Sequence, residues 1–294
     1  MADDQAAIEA AKAGDAKWLC GLVDVNDNSV GDAIVEASTR GHVDCVEVLV
    51  AEYATRDLTE NYSSWADLLE AFETAAANGH LEVLRLLLTE IRSQPDAQRK
   101  VELRFTTNQA LLAAADRGHL DVVKFVVHYA KEESNKNVLR GSHALARAIS
   151  GGQAAVVEYL LGVDEFTWEL QAAFVAAVGA RDRFLADRIY QLYVQSSTKE
   201  RLFVSLAAVG QLYALKYLYE AGHNGPELVG AAFVQASETL TNSMETDMLE
   251  FLLDTGRVSP DAFDKGLEVA VESTWDDVKA TAYLGEEASV CKGD

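Results

Sequence analysis

The chain has 294 residues, of which 25 are basic and 47 are acidic, so its net charge is −22 with histidine neutral. Apolar residues make up 49% and charged residues 24%, a balance that excludes wholesale disorder, and only three prolines exclude proline-rich and collagen-like classes. The excess of acid, without any run of basic residues, argues against nucleic-acid binding, and there is no stretch of about 20 apolar residues to span a membrane.

The first residues and the cysteines bear on the cellular compartment. The segment Met1–Gln5 is acidic and is followed by alanines, so it lacks the basic and apolar regions of a secretory signal peptide. Cys20, Cys45 and Cys291 are an odd number without the spacing of a disulfide framework, which is typical of a reducing compartment. We therefore expect a cytoplasmic or nuclear protein without a signal peptide.

An internal repeat organises most of the chain. Residues 33–50, 71–88 and 110–127 align without a gap, and each copy places a Gly-His pair at the same offset. Arg181 takes the place of the turn glycine in one weaker copy. The weaker copies cover residues 6–22, 144–161, 173–190, 202–219 and 232–253, and residues 263–284 form a worn ninth copy.

Each copy predicts two helices joined by a turn. The first half is alanine-rich, which lets helices approach closely, and the glycine ends it because glycine adopts a left-handed conformation without steric cost. The second half is amphipathic: in the third copy Leu120, Val123 and Val127 share one face. Since neither helix buries its apolar face alone, we predict an all-α solenoid of eight to nine helix–turn–helix repeats over residues 1–284, with a tail at 285–294.

The second copy carries a family pattern. The residues at the pattern positions are Ala75, Ala76, Gly79, His80, Leu81, Val83, Leu86 and Leu87. With these residues the array resembles the ankyrin repeat family over residues 6–253, most closely in the three central copies. The Thr-Pro-Leu-His opening of that family is absent, and so is the ending that leads into its β-hairpin fingers. We therefore expect few or no fingers, with extra helical turns or irregular loops in their place. A tetratricopeptide or HEAT-type array is the alternative, although its aromatic and proline signatures do not occur.

Sequence motifs for catalysis are absent. The chain contains no phosphate-binding loop, no dinucleotide fingerprint, no zinc-protease or Cys-x-x-Cys pattern and no nucleophile elbow. His42, His80 and His119 occupy equivalent positions in successive repeats, about 8–10 Å apart or more, so one metal ion cannot bind them together and we expect a structural role. Cys20 and Cys45 are expected to be buried in second helices. We predict no enzyme activity, no cofactor and no metal.

The resemblance also implies where a partner binds. In the ankyrin repeat family the concave face is built by the first helices and by the segments that connect repeats. Positions three and four apart share that face, which gives the candidate protein-binding residues Glu36, Thr39, Arg40, Thr74, Asn78, Asp116, Arg117, Arg147 and Ser150. Later copies place small residues there, namely Ala176, Gly179, Ala180, Ser205, Ala208 and Val209. Because arginine is enriched at binding hot spots, the three arginines are the strongest candidates; the alternative is that these arginines are ordinary exposed side chains.

The function implied by the resemblance is a non-enzymatic scaffold or adaptor. It would bind another protein on its concave face and be monomeric by itself, with neither nucleic acid nor membrane as a partner. Inhibitors and, in pathogens, effectors that engage host proteins are further roles of similar proteins. The alternative is a regulatory subunit or inhibitor of an enzyme, because residues 220–294 contain 16 acids and 4 bases, a net charge of −12 that suits a basic surface.

Overall fold

In the computed structural model of the chain, the structure describes residues 2–22, 26–55, 62–93, 97–132, 139, 142–196, 199–239 and 246–273. These residues form 17 helices and contain no β-strand, and their one β-type pairing is an isolated bridge between Ser142 and Trp168. The prediction of an all-α chain with few or no β-hairpin fingers is therefore confirmed for this part of the chain. Residues 285–294, predicted as a tail, lie outside it.

The chain divides into two compact units, Met1–Glu169 (unit 1) and Leu170–Asp294 (unit 2). The described helices of unit 1 are α1 (Ala2–Ala13), α2 (Ala16–Leu19), α3 (Asp27–Arg40), α4 (Val43–Thr55), α5 (Tyr62–Ala77), α6 (Leu81–Ser93), α7 (Ala97–Arg117), α8 (Leu120–Glu132), α9 (Ala144–Ser150) and α10 (Ala154–Leu161). Those of unit 2 are α11 (Leu170–Gly179), α12 (Arg183–Ser196), α13 (Lys199–Ala208), α14 (Leu212–Glu220), α15 (Pro226–Glu238), α16 (Thr246–Asp254) and α17 (Pro260–Ser273).

Unit 1 consists of five consecutive helix pairs in two layers. The first helices, α1, α3, α5, α7 and α9, contact one another in that order, and the second helices, α2, α4, α6, α8 and α10, form the other layer in the same order. Several first helices begin before their sequence copy does: α7 starts at Ala97, although the third copy starts at residue 110. The connections thus contain the extra helical turns that the missing finger signature predicted.

Alanines and large apolar residues share the core of unit 1. Ala71, Ala75 and Ala110 are fully buried, and their small side chains let the first helices approach closely. The largest fully buried side chains of unit 1 are Trp65, Phe72, Ile34, Leu68, Leu84, Leu87, Leu111, Leu139 and Leu145. Burial of each stabilises the fold by about 1.5–3 kcal/mol, and the first helices that carry many of them contact the first helices of the neighbouring repeats. The stack is therefore held together by contacts that no single repeat makes alone.

Unit 2 contains three helix pairs followed by α17. The helices α13, α15 and α17 contact one another in that order, and each of α11, α13 and α15 contacts the second helix of its own pair. Phe174, Phe203 and Phe233 are fully buried at the centre of these pairs. The five helix pairs of unit 1 and the three of unit 2 make eight repeats, and α17 is the first helix of the degenerate ninth copy. The prediction of eight to nine repeats is therefore confirmed for the described residues.

The turns between paired helices share one backbone geometry in seven repeats. The turn residues have a left-handed backbone, with φ between 60° and 80°, at Gly14, Gly41, Gly79, Gly118, Gly152, Arg181 and Gly210. The following residue donates its N–H to a carbonyl five positions back, as from His80 to Ala75 (2.9 Å) and from Asp182 to Ala177 (3.1 Å). These bonds satisfy carbonyls at the helix end. Arg181 is the one non-glycine residue with positive φ among the described residues.

Cys20 and Cys45 were both predicted to be buried, and the structure differs for one of them. Cys45 is fully buried, as predicted, but the prediction for Cys20 is wrong, because Cys20 is exposed. The reason is the shortness of α2, which ends at Leu19 and leaves Cys20 beyond its packed turn. Ser38 lies in the core of unit 1, fully buried, and its hydroxyl has no hydrogen-bond partner among the described residues.

Candidate protein-binding face

The turn histidines join each repeat of unit 1 to the one before it. Because a carbonyl oxygen only accepts, each ring donates from Nε2: His42 to Lys12 (3.3 Å), His80 to Thr39 (3.1 Å) and His119 to Ala77 (3.0 Å). In the next repeat the amide of Gln153 donates to the carbonyl of Asp116 over 3.1 Å. The structural role predicted for the three histidines is confirmed, and these bonds fix how successive first helices align.

At Gly14, Gly41 and Gly79 the turn glycine is also required by the histidine ring that crosses it. A Cβ at Gly79 would lie 2.6 Å from Nδ1 of His119, a separation that real Cβ atoms essentially never show. At Gly152 the backbone is equally left-handed, but a Cβ would meet nothing within 4 Å. Glycine therefore serves two purposes in the histidine-linked turns and only one in the turn at Gly152.

The exposed surface of α3, α5, α7 and α9, which we call the first-helix face, carries the predicted binding residues. Arg40 on this face forms an ion pair with Glu36 one turn earlier in α3. Arg117 reaches back to the preceding repeat and donates to the carbonyl of Ala77 and to Oδ1 of Asn78, each over 3.1 Å. Two of the three predicted arginines are therefore engaged within the unit.

The predicted hydroxyl and amide groups on this face bond mainly to their own helices. The hydroxyl of Thr39 donates to the carbonyl of Val35 over 2.8 Å, and that of Thr74 donates to the carbonyl of Glu70 over 3.0 Å. The side-chain amide of Asn78 donates to the carbonyl of Thr74 over 2.8 Å. Ser150, at the end of α9, is exposed.

A groove of 360 Å³ crosses the first-helix face and brings three of the predicted residues together. This central groove is lined from α5, α7 and α9 by Glu73, Thr74, Ala77, Gln109, Leu112, Ala113, Asp116 and Arg147. Arg147 is exposed and forms no ion pair with a described carboxylate. The groove thus has small apolar walls, with a free guanidinium at its α9 end and acids on α5 and α7.

Acidic side chains of α3 and α5 lie close enough to repel one another when they are ionised. Partial burial, together with repulsion from Asp32 and Glu70, raises the pKa of Asp67 to about 6. Partial burial and Glu70 also raise the pKa of Glu73, which lines the central groove. Gly31 provides the space for Asp67, because a Cβ there would overlap the carboxylate. A positive charge brought to this end of the groove would relieve the repulsion.

Of the other residues that line the central groove, Ala77 and Ala113 lie at inner-face positions given by the repeat alignment, but sequence reasoning missed Glu73, Gln109 and Leu112. It took three positions per first helix next to the turn, whereas the groove extends one turn further from it. Gln109, Leu112 and Asp116 are spaced by three and four, so continuing the helical stripe toward the amino terminus would have found them. The position of Arg147 opposite the acids depends on how neighbouring repeats align, which one repeat does not encode.

Unit 2 has a groove of its own between α13, α15 and α17. This groove of 540 Å³ is lined by Val204, Gly230, Ala231 and Val234, with Pro226, Glu227, Gln235, Ser259, Asp261, Ala262 and Lys265. The residues from α13 and the centre of α15 are small or apolar, but none of the six small residues expected in the later copies lines this groove. Its charged residues come from the start of α15 and from α17.

The described residues contain no group of three or more His, Cys, Asp or Glu side chains placed to hold a metal ion. Among them, no helix is both long enough and apolar enough to cross a membrane.

Comparison with known proteins identifies the central segment. Residues 72–167 match the family model for ankyrin repeats, in three copies. The matched segment includes every residue that lines the central groove. Ankyrin repeats are protein–protein interaction modules. No curated protein matches the chain.

Proposed function

We propose, from the match of residues 72–167 to the ankyrin repeat family, that the protein is a non-enzymatic scaffold or adaptor that binds a partner protein on its first-helix face. The observation that carries the proposal is the central groove, which runs across three successive repeats and ends at Arg147, a cation without an ion pair among the described residues. Its apolar walls suit side chains of an extended or helical segment, and its charges of both signs give orientation.

The predicted residues have unequal roles in this proposal. Thr74, Asp116 and Arg147 line the groove and contact the partner. Arg117 and Asn78 brace adjacent repeats, and Arg40 is neutralised by Glu36, so these four shape the face and contribute less to affinity.

The same surface serves an adaptor and a pathogen effector that engages a host protein; the identity of the partner separates these roles. We place the protein in the cytoplasm or nucleus, as a monomer without nucleic acid as a partner. The free thiols of Cys20 and Cys45 support a reducing compartment.

A second candidate function is inhibition or regulation of an enzyme through the acidic residues 220–294. It is favoured by their net charge of −12 and by Glu227 and Asp261 at the groove of unit 2. Such binding would depend strongly on salt, whereas binding in the partly apolar central groove would depend on it weakly.

Affinity capture from a lysate, followed by mass spectrometry, tests the proposal. Two variants alter the central groove: Arg147→Glu reverses its free cation, and Ala113→Arg fills its wall. Lys17→Glu is the matched control, because it makes the same charge change at an exposed position on α2. Far-UV circular dichroism verifies that all variants remain helical.

The proposal predicts a protein captured by the wild type and by Lys17→Glu but lost with both groove variants. A partner that survives both groove changes, and is released by high salt, would instead support the acidic residues 220–294 as the binding surface. Retention of every partner by all variants in high salt would contradict both candidate functions.

A further inference from the structure

The first two helix pairs of unit 2 differ in charge from the rest of the chain. Residues 170–220 contain six basic and four acidic residues, a net charge of +2. The remainder of the chain therefore carries −24. A segment that stays positive in so acidic a protein provides a local attraction for acidic groups that the other surfaces lack.

Large apolar side chains are exposed in the same segment. Phe184 is 81% exposed, Tyr213 61% and Val209 55%. Phe184 and Tyr213 each lie three residues after the turn residue of their repeat, the position that holds Glu82 and Asp121 in unit 1. Three of the five repeats of unit 1 have an acid here, in the first turn of the second helix, whereas two consecutive repeats of unit 2 have an exposed aromatic ring.

A hydrogen bond shows that the two rings lie on neighbouring helix ends. The hydroxyl of Tyr217 on α14 donates to Oδ1 of Asp187 on α12 over 2.8 Å. Burial and this bond raise the pKa of Tyr217 to about 12, so it stays protonated as the donor. Tyr213 precedes Tyr217 by one helical turn, and Phe184 precedes Asp187 by nearly one. The first turns of α12 and α14 are therefore side by side.

Two cations border the exposed rings. Arg181 and Arg183 are exposed, and neither forms an ion pair with a described carboxylate. The acids beside them are engaged: Asp182 accepts from the N–H of Leu185 over 3.0 Å, and Asp187 accepts from Tyr217. The guanidinium groups are therefore free to bind an external anion.

We propose that Phe184, Tyr213, Val209, Arg181 and Arg183 form a second docking site, the aromatic–arginine patch, for an acidic peptide segment that carries apolar side chains. The exposed rings offer rigid contact area, the typical material of binding hot spots, and the arginines pair with carboxylates. A lipid surface fits less well, because a large anionic surface would also face acidic residues outside the patch, whereas a short peptide contacts the patch alone. The patch lies in unit 2 and is independent of the central groove.

The test uses the full chain and short fluorescein-labelled synthetic peptides. One peptide consists of Glu, Leu and Phe, and its partner has Lys in place of each Glu. Fluorescence anisotropy compares the wild type with Phe184→Asp, which installs the acid found in unit 1, and with Arg183→Glu. Phe105→Ala is the matched control, since Phe105 is an exposed aromatic of unit 1, at 66%.

The proposal expects saturable binding of the acidic peptide, none of the lysine peptide, and a loss of about tenfold or more with each patch variant. Phe105→Ala should bind like the wild type. Failure of the wild type to bind the acidic peptide would overturn the proposal, as would equal loss with Phe105→Ala.

Two further measurements test whether the aromatic–arginine patch binds a second copy of the chain or a membrane instead of a peptide. Sedimentation velocity that shows a wild-type dimer and a Phe184→Asp monomer would assign the patch to a second copy of the chain. Cosedimentation with phosphatidylserine vesicles, lost in Phe184→Asp, would assign it to a membrane. Either result without peptide binding would contradict the proposal, and neither concerns the central groove.

Discussion

Replacement of Gly79 by alanine isolates the energetic role of the crossing histidine. Gly79 has φ of 80°, and a Cβ there would lie 2.6 Å from Nδ1 of His119. A left-handed alanine costs about 1 kcal/mol. Displacement of the ring also breaks the bond from His119 to the carbonyl of Ala77, which adds about 0.5–1.5 kcal/mol, the net value of one hydrogen bond, because the carbonyl keeps its bond from Arg117. We expect a total loss of about 1.5–2.5 kcal/mol.

Gly152→Ala is the matched control, because its φ is 69° and its Cβ would meet nothing within 4 Å. This variant should lose only the about 1 kcal/mol of stability that a left-handed alanine costs. Urea unfolding followed by circular dichroism measures both, with the slopes compared to verify that the same transition is observed. In a His119→Ala background, the loss from Gly79→Ala should fall to that of Gly152→Ala. Equal losses for the two single variants would refute the role assigned to the ring.

Three further predictions use urea unfolding as the assay. His119→Gln should destabilise the chain less than His119→Ala, because Gln153 already makes the equivalent bond in the next repeat; equal losses would contradict this. Ser38→Ala should stabilise by about 1 kcal/mol, since it removes a buried hydroxyl without a partner among the described residues; a loss of stability would show that this hydroxyl is satisfied. Asp67→Asn should stabilise at pH 7 by about 1 kcal/mol after screening at this half-buried site. The folded pKa of about 6 lies above the ordinary value of 3.8, so the penalty is complete above pH 6 and fades toward pH 4; a gain independent of pH would contradict it.

The repeat geometry was predictable because it depends on short-range sequence signals. A glycine followed by histidine predicts a left-handed helix end, and the backbone bond from His80 to Ala75 forms as that signal requires. The same alignment located the turn at Arg181, although arginine gives no signal of its own for a left-handed backbone. The lack of a finger signature correctly predicted helical connections such as the start of α7 at Ala97.

Contacts between repeats were predictable only in part. The pair of Arg40 with Glu36 follows from a spacing of four within one helix, so the sequence contains it. The bonds from Arg117 to Asn78 and Ala77 depend on how α7 is placed along α5, which no periodicity specifies. The exposure of Cys20 likewise depends on where the short helix α2 ends.

The divergence of the repeats follows from how the turn is built. At each turn the left-handed residue and the backbone bond that spans five residues hold the two helices together, and the side chain three residues later contributes nothing to either. That position can therefore change from Asp121 in unit 1 to Phe184 in unit 2 with the turn intact. An exposed phenylalanine side chain buries little surface in the fold, so its presence at a position that is acidic in three repeats of unit 1 is better explained by binding than by stability. In a repeat array of this kind, departures from the shared pattern at exposed positions are therefore the most informative guide to the partner.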